Sequence, residues 1–138
     1  MSATRSPDGP LLLAVEDEPR TAALLHAILA RAGYRLYVAT GVNEARELLQ
    51  EETPDLVLLD RHLPDGDGLE LIPDIRGSER LANVRILVVS ASVLPSDVQD
   101  AMNAGADGFL AKPVRVKPLV DEVRRLLDAG AVAPKLAD

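Results

Sequence analysis

The sequence predicts an α/β domain: a doubly wound, five-stranded parallel sheet with helices on both faces. Three observations predict it. Short unbroken apolar runs recur at Leu11-Leu12-Leu13-Ala14-Val15, Leu56-Val57-Leu58-Leu59, Ile86-Leu87-Val88-Val89 and Phe109-Leu110-Ala111. Runs without polar alternation fit strands buried on both faces of a parallel sheet. Stretches of helical spacing separate them, giving strand–helix alternation along the chain. Each run also stops on a polar residue: Glu16-Asp17, Asp60, Ser90 and Lys112. Ligands of open parallel sheets bind outside the carboxyl ends of the strands. One rule of the fold therefore gathers three carboxylates, a hydroxyl and an ammonium at one rim, a set suited to phosphate chemistry.

The elements follow in order. Residues 1–10 are polar, with Pro7, Gly9 and Pro10, and read as a loose leader. After the first strand, Pro19 is placed to open a helix carrying Ala22, Leu25, Ile28 and Leu29, with Gly33 as its stop. Tyr34 to Ala39 alternates like a strand with one wetter face. Val42, Ala45, Leu48 and Leu49 mark a second helix, ended by Pro54. The strand ending on Asp60 leads into a loop with Pro64, Gly66 and Gly68. The run Asp65-Gly66-Asp67-Gly68 has the wrong spacing for a calcium loop and reads as a tight turn. A third helix carries Leu69, Ile72 and Ile75. Pro73 inside it cannot donate to the ladder, so that helix should be short or kinked. Pro95 opens a fourth helix with Val98, Ala101 and Met102, ending at Gly105. Val116, Leu119, Val120, Val123, Leu126 and Leu127 form the clearest helical stripe. The expected division is a leader over 1–10, one domain over 11–128 and a flexible tail over 129–138.

Composition bounds the function. A chain of 138 residues suits one domain with one core. With 47% hydrophobic and 27% charged residues it is globular rather than disordered. The aromatics are Tyr34, Tyr37 and Phe109, so Leu, Val, Ile and Ala must build the core. No cysteine is present, which excludes disulfides and thiolate metal sites. No stretch reaches the roughly 20 apolar residues that span a bilayer. No basic-then-apolar signal opens the chain, so a cytoplasmic location is the default. A formal charge of -7 argues against direct nucleic-acid binding.

The chain resembles the receiver domain of two-component response regulators. The resemblance rests on Val15-Glu16-Asp17-Glu18-Pro19, Leu58-Leu59-Asp60 with Pro64 and Gly68, Ser90-Ala91, and Ala111-Lys112-Pro113, and it runs from about Leu11 to about Leu127. It implies a flavodoxin-like (βα)5 fold with strand order 2-1-3-4-5. It implies that Asp60 is the phosphoacceptor, forming an aspartyl-phosphate from a phosphohistidine on a histidine kinase or histidine phosphotransfer protein. Mg2+ is the implied cofactor, held by Asp17 and Asp60, by the backbone carbonyl of His62, and by Glu16 through a bound water. Glu16 stands where the family more often has Asp.

Lys112 is expected to lie against Asp60, lower its proton affinity and later pair with phosphoryl oxygens, with the Lys112–Pro113 bond in cis. Ser90 is the implied switch hydroxyl. Phe109 stands at the rotating aromatic position, where an inward ring could fill space that Ser90 vacates. Small Ala91 leaves the phosphate open to water or an imidazole. His62 stands beside that approach, either tuning dephosphorylation or facing solvent, while His26 reads as structural or surface.

Output is expected through the last two helices and the strand between them, to an unknown downstream protein, by a monomer or weak dimer through that surface. The chain is then no enzyme beyond self-phosphorylation and slow autodephosphorylation. The competing readings are an aspartate-nucleophile phosphohydrolase and a phosphorylation-independent interaction module. Against the first, His62 stands where those enzymes place a second Asp. Against the second, Glu16, Asp17, Asp60, Ser90 and Lys112 are all present.

Overall fold

Five parallel strands make the sheet: β1 (Leu11–Val15), β2 (Arg35–Ala39), β3 (Leu56–Leu59), β4 (Arg85–Ser90) and β5 (Gly108–Ala111). The structure, a computed structural model, describes residues 9–132. The strands lie in the order β2-β1-β3-β4-β5, the order that the resemblance implies. Register aligns their carboxyl ends: Val15 pairs with Ala39 and Leu59, Leu59 with Val88, and Ser90 with Ala111. The helices are α1 (Pro19–Arg31), α2 (Val42–Glu51), α3 (Leu71–Arg76), α4 (Pro95–Ala104) and α5 (Val116–Val132).

Period-two alternation divides the apolar side chains between two cores. Leu13, Val15, Val57, Leu59, Ile86 and Val88 face α2, α3 and Ala101 of α4. Leu12, Ala14, Leu56, Leu58, Leu87 and Val89 face Leu25 and Leu29 of α1 and Leu119, Val123 and Leu126 of α5. The three central strands are thus sealed on both faces, which makes their ends a rigid platform.

Local chemistry sets the helix ends. Glu18 accepts from Thr21 N at 2.8 Å at the start of α1, with Pro19 as the first helical residue. Gly33, at φ 97°, lets the chain leave α1, and Gly105, at φ 117°, does so after α4. The turn after Asp60 is a two-residue antiparallel hairpin, His62–Leu63 with Gly66–Asp67. Asp65 at its tip caps α2, accepting from Val42 N at 2.7 Å and Asn43 N at 3.0 Å. Those bonds, Asn43 first, hold its carboxyl below the usual carboxylate range. Leu69, expected in the third helix, lies in a 3-10 turn (Gly68–Glu70) that precedes α3. The helix proper spans six residues, short as Pro73 predicts. Proline costs little there because the first turn's N–H groups have no helical acceptor.

α5 runs to Val132. Gly130 costs about 1 kcal/mol in a helix, too little to stop one already nucleated over four turns. Residues 1–8 of the expected leader and 133–138 of the expected tail lie outside the described residues.

Candidate functional site

The site is built by ladder hydrogen bonds that run one residue past the strands. Glu16 N donates to Ala39 O at 2.9 Å, Asp60 N to Val15 O at 3.0 Å, and Lys112 N to Ser90 O at 2.9 Å. Each chemistry-bearing backbone is therefore pinned by its neighbouring strand. Their side chains meet. One carboxylate oxygen each from Glu16, Asp17 and Asp60 lies within 4.8 Å of the others. Lys112 Nζ is 2.8 Å from Glu16 Oε1 and 2.9 Å from Asp60 Oδ2. Glu16 (2% exposed), Asp60 (7%) and Ser90 (1%) are the buried polar residues among those described, while Asp17 is open to solvent.

Both Glu16 oxygens are engaged, since Oε2 accepts from Glu18 N at 3.0 Å. Asp60 Oδ1 accepts from His62 N at 3.3 Å. Three carboxylates face one ammonium, so the cluster carries an excess of negative charge beside water, a setting that favours a cation. Hard carboxylate oxygens with an open side fit Mg2+, which needs only one or two carboxylates and keeps several waters.

Lys112 titrates high. Burial alone would push its ammonium down, but the hydrogen bonds to Glu16 and Asp60 outweigh that and hold its pKa above the usual lysine value. A raised folded value means the pairing stabilises fully below the unfolded pKa of about 10.4 and is lost as pH climbs through the folded value. Thermal melts across the alkaline range should therefore show a fall in stability for the wild type that is smaller in Lys112→Met.

The remaining expected residues fall nearby but apart from the carboxylates. Ser90 Oγ accepts from Ser92 N at 3.1 Å. Phe109 pairs in register with Val88 and is half-buried against the core under α3 and α4. The His62 ring is exposed but partnered: Nε2 lies 2.7 Å from Ser92 Oγ. His26 is exposed on α1. The Lys112–Pro113 bond is cis. An open groove of about 410 Å³, lined by Thr21, Leu24, Ala91, Lys112, Pro113 and Val114, runs up to Lys112.

Two supporting residues are weakly marked in the sequence. Gly68 N donates to Arg61 O at 2.7 Å, and a Cβ on Gly68 would stand 1.9 Å from Asp60 O. Only a residue without a side chain lets the hairpin close against the acceptor's backbone. Arg61 pairs with Asp67, Asp97 and Asp100. Its signal was a lone basic residue directly after Asp60 in an acidic chain.

Comparison with known proteins agrees with this geometry. The family model described as "Response regulator receiver domain" matches residues 12–124. The transcriptional regulatory protein GltR of Pseudomonas aeruginosa is 34% identical over 122 residues, which cover 88% of this chain and 50% of that protein. The chain thus spans about half the length of the curated relatives it matches. The signal receiver domain of a signal transduction histidine kinase from Syntrophus aciditrophicus superposes with TM-score 0.82 at 29% identity, covering 94% of this chain and 98% of that one. The receiver domain of the sensor histidine kinase PA1611 from P. aeruginosa, with a magnesium ion coordinated in its active site cleft, gives TM-score 0.80 at 29% identity, over 87% and 98% of the two chains. No helix among the described residues is long and apolar enough to cross a membrane. With the sheet order, the acidic rim and the family match in agreement, this chain belongs to the receiver domains of two-component response regulators.

Proposed function

We propose that Asp60 accepts a phosphoryl group from a phosphohistidine on a histidine kinase or a histidine phosphotransfer protein, and that the phosphate switches the surface of α4, β5 and α5. One observation supports this above the others: Asp60 is buried at a strand end, with Oδ2 on Lys112 and its carboxylate within 4.8 Å of those of Glu16 and Asp17. A carboxylate oxygen of Asp60 forms the new P–O bond while the donor's P–N bond breaks, and the electron pair returns to the imidazole. The pinned backbone keeps that oxygen in line, which is where proximity contributes most. Glu16, Asp17 and Asp60, with the His62 carbonyl, would hold Mg2+, which when bound neutralises charge on the phosphoryl oxygens.

Lys112 stays within reach of Asp60 and pairs with a phosphoryl oxygen as a compact cation. Ser90 accepts from Ser92 N and keeps its own proton to donate to another phosphoryl oxygen. Phe109, half-buried beside β4, follows the Ser90 loop by steric contact, since its ring offers no hydroxyl. The groove along Thr21, Leu24 and Ala91 gives the donor's imidazole its approach. Small phosphodonors use the same route, so the chain labels itself slowly and loses the phosphate slowly to water. Output passes through protein contacts, of a monomer or weak dimer, because a charge of -7 disfavours a nucleic-acid backbone.

The test is incorporation from acetyl phosphate with Mg2+, followed by intact mass. One phosphoryl group per chain is expected, with none after chelation and none in Asp60→Asn. Equal labelling of wild type and Asp60→Asn would overturn the assignment.

A further inference from the structure

α4 is lightly held by the core. Ala101 is its one buried residue, whereas α5 buries Leu119, Val123, Leu126 and Leu127. Elements with few buried contacts are the ones that open or shift first. An ionic contact adds to that hold. Arg61 Nη1 lies 3.2 Å from Asp100 Oδ2 and 3.7 Å from Asp97 Oδ1, both on α4. Its Nε holds Asp67 Oδ2 at 3.0 Å. Arg61 and its side of the contact are anchored: Asp60 before it is in the sheet ladder, its carbonyl accepts from Gly68 N, and Asp67 belongs to the hairpin. The α4 side has fewer holds: Ala101 in the core and, just past the helix, Gly105 O on Arg76. Pro95 opens α4 only three residues after Ser92, which is bonded to Ser90 Oγ and to His62. A connector that short transmits a displacement of the Ser90 turn into the first turns of α4.

We propose that Arg61 is a positioning residue, an ionic clasp that ties α4 to the phosphoacceptor hairpin in the unphosphorylated protein and is given up when Ser90 turns to the phosphate. The proposal rests on Asp60 being the acceptor. The clasp stabilises only the unphosphorylated arrangement, so it opposes the switch by its differential free energy. Arg61 and Asp97 are each 23% exposed and Asp100 54%. A partly exposed network of this kind shifts an equilibrium by about twofold to fivefold.

The decisive variant is Asp100→Asn. It neutralises the nearer of the two α4 contacts, far from the acceptor in sequence, and leaves Asp97, whose Oδ2 also accepts from Leu94 N, in place. Two measurements are made on the full chain. Amide exchange across α4 in the unmodified protein should quicken in Asp100→Asn and in Arg61→Gln. Half-saturation by beryllofluoride with Mg2+, followed by amide shifts, should come at about twofold to fivefold lower concentration in both variants. The double variant should gain little over either single one, and Arg61→Lys should fall between. Raising salt should tighten beryllofluoride binding relative to Arg61→Gln, because screening loosens the same pairs. If the wild type binds beryllofluoride and Asp100→Asn changes neither exchange nor affinity, the clasp is overturned while the acceptor assignment stands. If the wild type takes no beryllofluoride, the acceptor assignment fails and the clasp's regulatory role fails with it.

Discussion

Lys112→Ala should lower folding stability at neutral pH, without added metal, by about 2–4 kcal/mol. Lys112 is the one cation touching the buried carboxylates of Glu16 and Asp60 among the described residues, at 2.8 and 2.9 Å. Removing it leaves like charges in a poorly solvated corner, and breaking a buried pair from one side costs more than the pair contributes. Solvent at Asp17 relieves part of that, which places the figure below the upper limit for a sealed site. Millimolar Mg2+ should restore much of the loss, since a ligand of the folded state alone stabilises by mass action. Urea melts with and without Mg2+ read both effects. The variant should still take phosphate slowly, because Asp60 keeps its place on the ladder, but the amides around Ser90 and Ser92 should not shift on labelling. A variant as stable as the wild type in metal-free buffer would show that the ammonium does not neutralise the cluster.

Gly68→Ala should be the more damaging change at the hairpin, costing about 3 kcal/mol and slowing phosphorylation of Asp60 by about a hundredfold. The reason is space rather than backbone conformation. The added Cβ would meet Asp60 O at 1.9 Å, Asp60 C at 3.0 Å and Leu59 Cδ1 at 3.1 Å. A backbone atom cannot yield as a side-chain tip can, so Asp60 itself must shift, and reacting groups tolerate about 1 Å of misplacement poorly. Gly33→Ala is the contrast. Nothing lies within 4 Å of its Cβ, and its cost comes from φ 97° alone, about 1 kcal/mol without effect on the site. Chemical melts give the stability terms and single-turnover labelling gives the rate. Equal labelling rates for Gly68→Ala and wild type would contradict the close packing of the hairpin on Asp60.

How far the sequence spoke depended on the kind of information each residue carried. The strands ending on Glu16, Asp60, Ser90 and Lys112 were legible because a strand buried on both faces must be apolar throughout, so its end is marked by the first polar residue. Convergence at one rim then followed from parallel topology rather than from any single motif. Pro19, Pro95 and Gly105 announced helix ends for reasons of φ and missing donors. What stayed hidden was pairing between elements distant in the chain. The partners of Glu16, Lys112 and Glu18 N, are one such case, since residues 16 and 112 meet only through tertiary folding. Arg76 donates to the carbonyls of Ala82, Val84 and Gly105 and to Asp107, stapling α3 to the segments that lead into β4 and β5, and nothing in its local pattern distinguishes it from a surface arginine. Asp65 looked like part of a turn, which it is, but its capping of α2 needed the fold to bring residues 42 and 65 together.

All of this depends on Asp60 being the atom-for-atom destination of the phosphoryl group. The direct measurement is to label the chain with acetyl phosphate and Mg2+, reduce it with borohydride, and sequence the peptides by mass spectrometry. An acyl phosphate is reduced to an alcohol, so an aspartyl-phosphate becomes homoserine. Homoserine at position 60 and at no other acidic residue is the predicted result. Homoserine at Asp17, 5-hydroxynorvaline at Glu16 or Glu18, or phosphate that survives reduction on Ser90, would contradict it.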